Sequence, residues 1–235
     1  MRFECHLIEG VLIRRYKRFL ADVELPDGRV LTVHTPNTGS MRGCAEPGMR
    51  VWIRDTGNPG RKYPYSWELV EARPGILVGI NTALSNRLVR EAIEAGRVPA
   101  LRGYRSIRSE VPYGRERSRI DLLLSDGPAP DCYVEVKNVT LVEGDTALFP
   151  DAVSVRGTKH LRELAAVVEE GARGVIFYCV QRQDARLVRP ASAIDPVYAE
   201  NLCDVLCSGV EALAYRAAVS TTEIRLDVPL PVECP

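Results

Sequence analysis

The chain is poor in the features that mark membrane, secreted and fibrous proteins. No apolar run in its 235 residues approaches the roughly 20 needed to span a bilayer, and Met1-Arg2-Phe3-Glu4-Cys5-His6 lacks the apolar core of a signal peptide. The expectation is a cytoplasmic protein with no membrane partner. Seven cysteines form an odd, scattered set without a C-x-x-C pair, which argues against a disulfide framework or a zinc ribbon and for reduced, mostly buried thiols. Cys203 and Cys207 share one face of a predicted helix, but no histidine pair accompanies them as a zinc site would require. Aromatic residues are scarce at 6%, and repeats and low-complexity segments are absent. Formal net charge is zero, so the molecule as a whole exerts no general pull on a polyanion.

What is present is a foldable composition, 46% hydrophobic and 26% charged, at a length that allows one large domain or two smaller ones. Charge is unevenly distributed. Arg102, Arg105, Arg108, Arg115, Arg117 and Arg119 face only Glu110 and Glu116 in residues 102 to 119, whereas residues 191 to 235 hold seven acids against Arg216 and Arg225. The basic stretch suits a polyanion such as DNA, and equally a solvated strand face.

Residues 7 to 72 read as about five short strands separated by turns, the pattern of a small closed barrel, OB-like or SH3-like. Pro26-Asp27-Gly28 marks a hairpin, because glycine supplies the positive φ that the turn requires. Arg14, Arg15, Lys17 and Arg18 surround Tyr16 at the first turn; this basic and aromatic mixture suits nucleic-acid binding or a charged loop. His34-Thr35-Pro36-Asn37-Thr38-Gly39-Ser40-Met41 is rich in turn formers and reads as a structural loop.

A domain boundary is placed near residue 80, giving a barrel domain over 1–80 and an α/β domain with a mixed sheet over 81–235. In the second, a helix over Leu84 to Ala95 is followed by strands at Tyr104 to Val111, Ser118 to Leu124 and Cys132 to Val139. Leu161, Leu164, Ala165 and Val168 then trace the apolar face of a helix opening at Thr158, and Gly174 to Val180 reads as a buried strand. Asp195-Pro196 begins a last helix, with two strands after it.

The anomaly lies in the central strands. Asp121 interrupts an apolar run in Arg119-Ile120-Asp121-Leu122-Leu123-Leu124, and Glu135 and Lys137 interrupt Tyr133-Val134-Glu135-Val136-Lys137. Residues i and i+2 of a strand share a face, and an antiparallel neighbour can bring Asp121 beside that pair. Two carboxylates survive such proximity when a cation sits between them. Mg²⁺ or Mn²⁺ suits this donor set, held by Asp121, Glu135 and the carbonyl of Val136, with Lys137 orienting or deprotonating a water or offsetting charge in the transition state. Glu110 is a further acid for the cluster, or a surface ion-pair residue. Lys159 and His160, placed at a helix start, suit phosphate contact; His160 also suits an ordinary half-buried helix position. Gln181 closes a strand near the cluster and reads equally as a strand-end amide.

This arrangement resembles the PD-(D/E)xK nuclease superfamily, with Ile120 where proline often stands. With Pro36 to Met41, Glu135-Val136-Lys137-Asn138-Val139-Thr140-Leu141, Phe149-Pro150-Asp151-Ala152 and Arg156-Gly157-Thr158-Lys159-His160-Leu161, nearly the whole chain is similar to the sugar fermentation stimulation protein A family. That resemblance implies an OB-like N-terminal domain, a nuclease-like C-terminal domain, DNA binding without sequence specificity and a regulatory link to maltose metabolism. It leaves three readings: a metal-dependent nuclease, a catalytically silent DNA-binding regulator, or a sugar-sensing or protein-interaction module.

Overall fold

The structure is a computed structural model that describes residues 1–116 and 118–234. Arg117, one of the six arginines of the basic stretch, lies outside the described residues.

Strands β1 (Ile8–Tyr16), β2 (Leu20–Glu24), β3 (Val30–His34), β4 (Arg50–Asp55) and β5 (Tyr65–Arg73) form a sheet that closes on itself where His34 of β3 pairs with Ser66 of β5. The result is the expected OB-like barrel. Leu12, Val23, Val33, Ile53, Trp67 and Val70 meet in its core. The β2–β3 turn takes the predicted form, with Gly28 at φ +81°.

The run after Arg73-Pro74-Gly75 forms a sixth strand, β6 (Ile76–Gly79), hydrogen-bonded to β5. Its far side meets the second domain. Gly79 N–H donates to the carbonyl of Gln181 at 2.8 Å, and Val78 bridges Arg182. A Cβ at Gly79 would overlap the Gln181 amide, so glycine is what lets the two backbones approach.

The second domain is built on a six-stranded sheet. Helix α1 (Ser85–Glu94) precedes β7 (Ser106–Tyr113), β8 (Ser118–Ser125), β9 (Cys132–Val139), β10 (Leu141–Glu143), β11 (Thr146–Phe149), α2 (Val155–Glu169), β12 (Arg173–Val180), β13 (Leu187–Pro190), α3 (Pro196–Cys207), β14 (Glu211–Val219) and β15 (Ile224–Leu230). The sheet order is β15-β14-β12-β9-β8-β7, with β12 parallel to β9 and β14 and the outer pairs antiparallel, a mixed sheet as expected. On one face, Leu122, Val134, Val175 and Phe177 pack with Leu88, Val89 and Ala92 of α1. On the other, Ile176, Tyr178 and Val180 pack with Leu161 and Leu164 of α2 and Leu202 of α3. Each large aliphatic side chain so enclosed contributes about 1.5–3 kcal/mol.

Three observations correct the sequence expectations. Strands β10, β11 and β13 make a separate three-stranded sheet; at three or four residues each they are too short to show a period. Helix α2 starts at Val155, capped by the Ser154 hydroxyl on Gly157 N–H at 3.0 Å, so Lys159 and His160 lie in its second turn, away from its free N-terminal amides. Cys203 and Cys234 are disulfide-bonded, with Cα atoms 5.7 Å apart. The fold returns the C-terminal segment beside α3 through a contact of Val232 with Val188, which sequence spacing does not reveal. Cys44, Cys132 and Cys179 are buried and free, and Cys5 and Cys207 are exposed and free. No helix among the described residues is long and apolar enough to cross a membrane.

Candidate functional site

The β8–β9 ladder pairs Leu124 with Cys132, Leu123 with Tyr133 and Leu122 with Val134, then stops one step short of Asp121. A side chain replaces the backbone there: Val136 N–H donates to Asp121 Oδ2 at 2.7 Å, while Oδ1 accepts from Asn86 Nδ2 of α1 at 2.7 Å. On the other side of β8, Ser109 pairs with Leu122 and Val111 with Ile120, but Glu110, at the intervening position, has φ +55° and no ladder partner. Ile120 and Val111 pack toward α2, Leu122 toward α1. The faces of β7 and β8 thus exchange at Glu110 and Asp121, and a non-glycine residue in the left-handed region stores strain at that step.

Glu135 and Lys137 point from β9 toward α2, as their i, i+2 spacing predicts. Lys137 Nζ donates to Glu135 Oε1 at 2.8 Å, and His160 Nδ1 contacts the same oxygen. Arg156, one turn earlier on α2, donates from Nε to His160 Nε2 at 3.2 Å. With Nε2 accepting, the ring proton resides on Nδ1 and faces Glu135. Two donors therefore converge on Oε1, and Glu135 Oε2 is left buried without a partner among the described residues.

The two carboxylates are held differently. Burial, then the nearby charge of Glu135, pushes the Asp121 carboxyl up to about 6, against the hydrogen bonds from Val136 and Asn86. Burial also acts to raise Glu135, but the His160 hydrogen bond and Lys137 outweigh it and hold that carboxyl below its usual value. The site is thus a buried ion pair with a second carboxylate beside it, short of positive charge. No group of three or more His, Cys, Asp or Glu side chains suited to a metal occurs among the described residues. Two carboxylates, one with an orphaned oxygen, nevertheless fit a hard divalent ion that completes its shell with water and backbone carbonyls.

The structure brings Asp121, Glu135, Val136 and Lys137 together. Glu110 stands across from Asp121 with an exposed side chain, and its carbonyl accepts from Arg119 Nη1 at 3.1 Å. Lys159 donates to the Glu116 carbonyl at 2.6 Å, tying α2 to the β7–β8 turn. The first-turn cluster of the barrel divides. Arg14 is paired with Asp22 at 2.8 Å, and Arg15 Nη2 donates to the carbonyls of Arg18, Asn37 and Gly39 at 2.7 to 2.9 Å. Lys17 and Arg18 project from the turn, exposed, in left-handed conformations. In the 102–119 stretch, Arg105 and Arg119 bond to backbone carbonyls and Arg115 pairs with Glu170 at 3.2 Å. Gln181 is fully buried and donates to Asn138 Oδ1 at 2.6 Å and Ser85 Oγ at 3.2 Å.

Sequence reasoning missed Asn86, Arg156 and Glu163 and left the contact of His160 open. Arg156 and His160 stand four apart on one helix, the available signal for a side-chain pair. Glu163, buried on α2, accepts from the N–H groups of Arg115 at 2.9 Å and Glu116 at 2.6 Å, and Gly114 leaves room for its carboxylate. It anchors the β7–β8 turn, three residues beyond His160. The loop ending at Met41 also does more than turn the chain: Ser40 Oγ and Met41 N–H donate to Asp151 at 3.0 and 3.1 Å across the domains.

Residues 13–80 match the SfsA N-terminal OB domain and residues 83–223 the sugar fermentation stimulation protein RE domain. Two similar proteins carry the name sugar fermentation stimulation protein homolog. That of Pelobacter propionicus is 68% identical over 96% of this chain and 97% of its own length. That of Geobacter metallireducens is 61% identical over 99% of each chain. A solved structure of Pyrococcus furiosus SfsA in complex with Ca²⁺ superposes with a TM-score of 0.87 and 30% identity, covering 99% of this chain and 98% of that one.

Proposed function

This chain belongs to the sugar fermentation stimulation protein family, and from the geometry of its site we propose a DNA-binding protein whose second domain uses a divalent cation to hydrolyse phosphodiesters. The observation that carries the reading is the buried Oε2 of Glu135, without a partner among the described residues, in the same site as a half-buried carboxylate, Asp121, whose charge the protein does not neutralise. Asp121, Glu135 and the Val136 carbonyl are the residues to hold the ion, Mg²⁺ or Mn²⁺ by the oxygen character of the donors. The Ca²⁺ bound by the Pyrococcus protein supports a hard divalent ion. When bound, that ion supplies charge neutralisation at phosphorus and an acidified water.

The chain's own residues supply the rest. The ammonium of Lys137, pinned by Glu135, offsets negative charge developing on the phosphate. Its 2.8 Å bond to Glu135 engages the group that would otherwise accept a proton from water, so charge stabilisation suits Lys137 better than general-base action. His160 and Arg156 hold Glu135 by one oxygen and leave the other for the ion. The engagement of Lys137 also favours a second reading, a DNA-binding regulator of sugar metabolism, linked to maltose, that retains the metal site without turnover.

Incubation with linear, nicked, single-stranded and branched DNA in Mg²⁺ or Mn²⁺ separates the two. Cleavage by the wild type that is absent from Lys137→Ala supports the hydrolase. Equal, background-level cleavage by both on every substrate leaves the regulator.

A further inference from the structure

We propose that the cleft between the two domains, bounded by the Asn37–Gly39 loop on one side and the end of β9 on the other, binds a neutral polyhydroxylated ligand, a sugar ring. The inference goes beyond the phosphodiester reading and does not depend on it.

The cleft has a volume of about 600 Å³, ample for a small molecule. Asn37 and Thr38 line it from the barrel, and Asn138, Thr140, Phe149 and Asp151 from the second domain. Its walls are fixed from behind. Asn37 Oδ1 accepts from Gly39 N–H at 2.8 Å, and Asn138 Oδ1 accepts from Gln181 Nε2 at 2.6 Å and Ser85 Oγ at 3.0 Å. A Cβ at Gly39 would fall 2.8 Å from Asp151 Oδ2, so glycine lets the loop close on that carboxylate.

These bonds orient both amides with the oxygen engaged and the NH₂ free. Asn37 and Thr140 are only 4% and 5% exposed. Asn37 Nδ2 and Thr140 Oγ1 nevertheless have no hydrogen-bond partner among the described residues and are not sealed from solvent, so the little that each residue exposes faces the cleft. Asp151 Oδ2 accepts from Ser40 and Met41, which leaves Oδ1 to accept from a ligand. Among the described residues no Lys, Arg or His lines the cleft. Arg15 and Arg182 lie behind its walls, with donors on the carbonyls of Asn37, Gly39 and Thr140. An anionic ligand would meet Asp151 with no cation beside it, so the cleft selects a neutral one.

The apolar side completes the match. Phe149 is held edge-on to Tyr198, ring centroids 5.2 Å apart, and Leu141 and Leu148 line the cleft with it. A sugar ring carries hydroxyls around its edge and C–H bonds on its faces. The two amides, the Thr140 hydroxyl and Asp151 suit the hydroxyls, and Phe149 and the leucines suit a C–H face. Asn138 directly follows Lys137, so the occupant touches the strand that carries the ion pair.

The test is saturation-transfer NMR in EDTA with glucose, ribose, maltose and sucrose, beside adenosine and glucose 6-phosphate. Asn37→Asp keeps the acceptor for Gly39 N–H and removes the free donor; Thr140→Val removes the hydroxyl at nearly constant volume. Melting confirms that both are folded. We expect saturation of at least one of the four sugars, glucose 6-phosphate to bind more weakly than glucose, and each variant to lose about three- to tenfold in affinity. No saturation of any of the four sugars, stronger binding of glucose 6-phosphate than of glucose, or wild-type affinity in both folded variants overturns the cleft. Saturation of adenosine alone overturns the sugar. Sugar binding that the variants weaken, in a protein that takes up no Mn²⁺, sustains the cleft and removes the metal site.

Discussion

Val136 N–H donates to Asp121 Oδ2 at 2.7 Å across the gap where the β8–β9 ladder ends. A carboxylate thus occupies the place of a backbone carbonyl, and the chain delivers an acid into the centre of a sheet without leaving Val136 N–H unpaired. The arrangement sets Asp121 beside Glu135 and exposes both to the same missing positive charge.

The first prediction concerns that charge. Asp121 moves from 3.8 when unfolded to about 6 in the fold, so folding takes up a proton between those values. Metal-free stability should fall as pH rises from about 4 to about 6 and stay reduced above, by about 3 kcal/mol. Asp121→Asn removes the penalty and should melt a few degrees above wild type at pH 7.5 in EDTA. Calorimetry showing a lower melting temperature for Asp121→Asn contradicts this.

A second prediction concerns the ring of His160. Long-range ¹⁵N–¹H spectra of the metal-free protein should show the proton on Nδ1, and Arg156→Ala should mix the tautomers. His160→Ala should weaken Mn²⁺ binding about 10–100-fold, with partial recovery in His160→Asn, whose amide can donate from nearly the same position. An Nε2–H ring in the wild type rules the arrangement out.

Glu163 supports the β7–β8 turn by accepting two backbone N–H groups while buried. Glu163→Ala strands both donors and should destabilise the protein by about 1–3 kcal/mol in urea titration. Hydrogen exchange should accelerate at Arg115 and Glu116 before it does in β12. Unchanged exchange at those two amides sinks the assignment.

The Cys203–Cys234 bond closes a separation of 31 residues, which corresponds to about 3–4 kcal/mol of chain entropy. Reduction, or Cys203→Ser, should lower the melting temperature by several degrees while leaving Glu135 and Lys137, on β9, undisturbed. Equal melting with and without reductant removes the bond from the stability of the fold.

How far the sequence carried depends on how local each relationship is. The pairing of Glu135 with Lys137 follows from strand period, and Asp121 could be placed near them because a turn joins two apolar strands whose register puts Asp121 level with Glu135. Closure of the barrel was legible from strand and turn spacing. His160 reaches Glu135 from a helix 25 residues away, and only the packing angle of α2 on the sheet decides that contact. The same holds for Asn86, set beside Asp121 by α1 on the opposite face. Arg14 and Arg15 looked alike in sequence. The bulge in β1 between Leu12 and Arg14 and the docking of the Asn37–Gly39 loop decide which cations of that cluster remain free, and both are tertiary.

Isothermal titration of Mn²⁺ into metal-free wild type, beside Asp121→Asn and Glu135→Gln, tests the site most directly. One saturable binding event in the wild type, tightening as pH rises through about 6 and lost in both variants, is the predicted result. No binding to the wild type, or equal binding to Asp121→Asn, contradicts it.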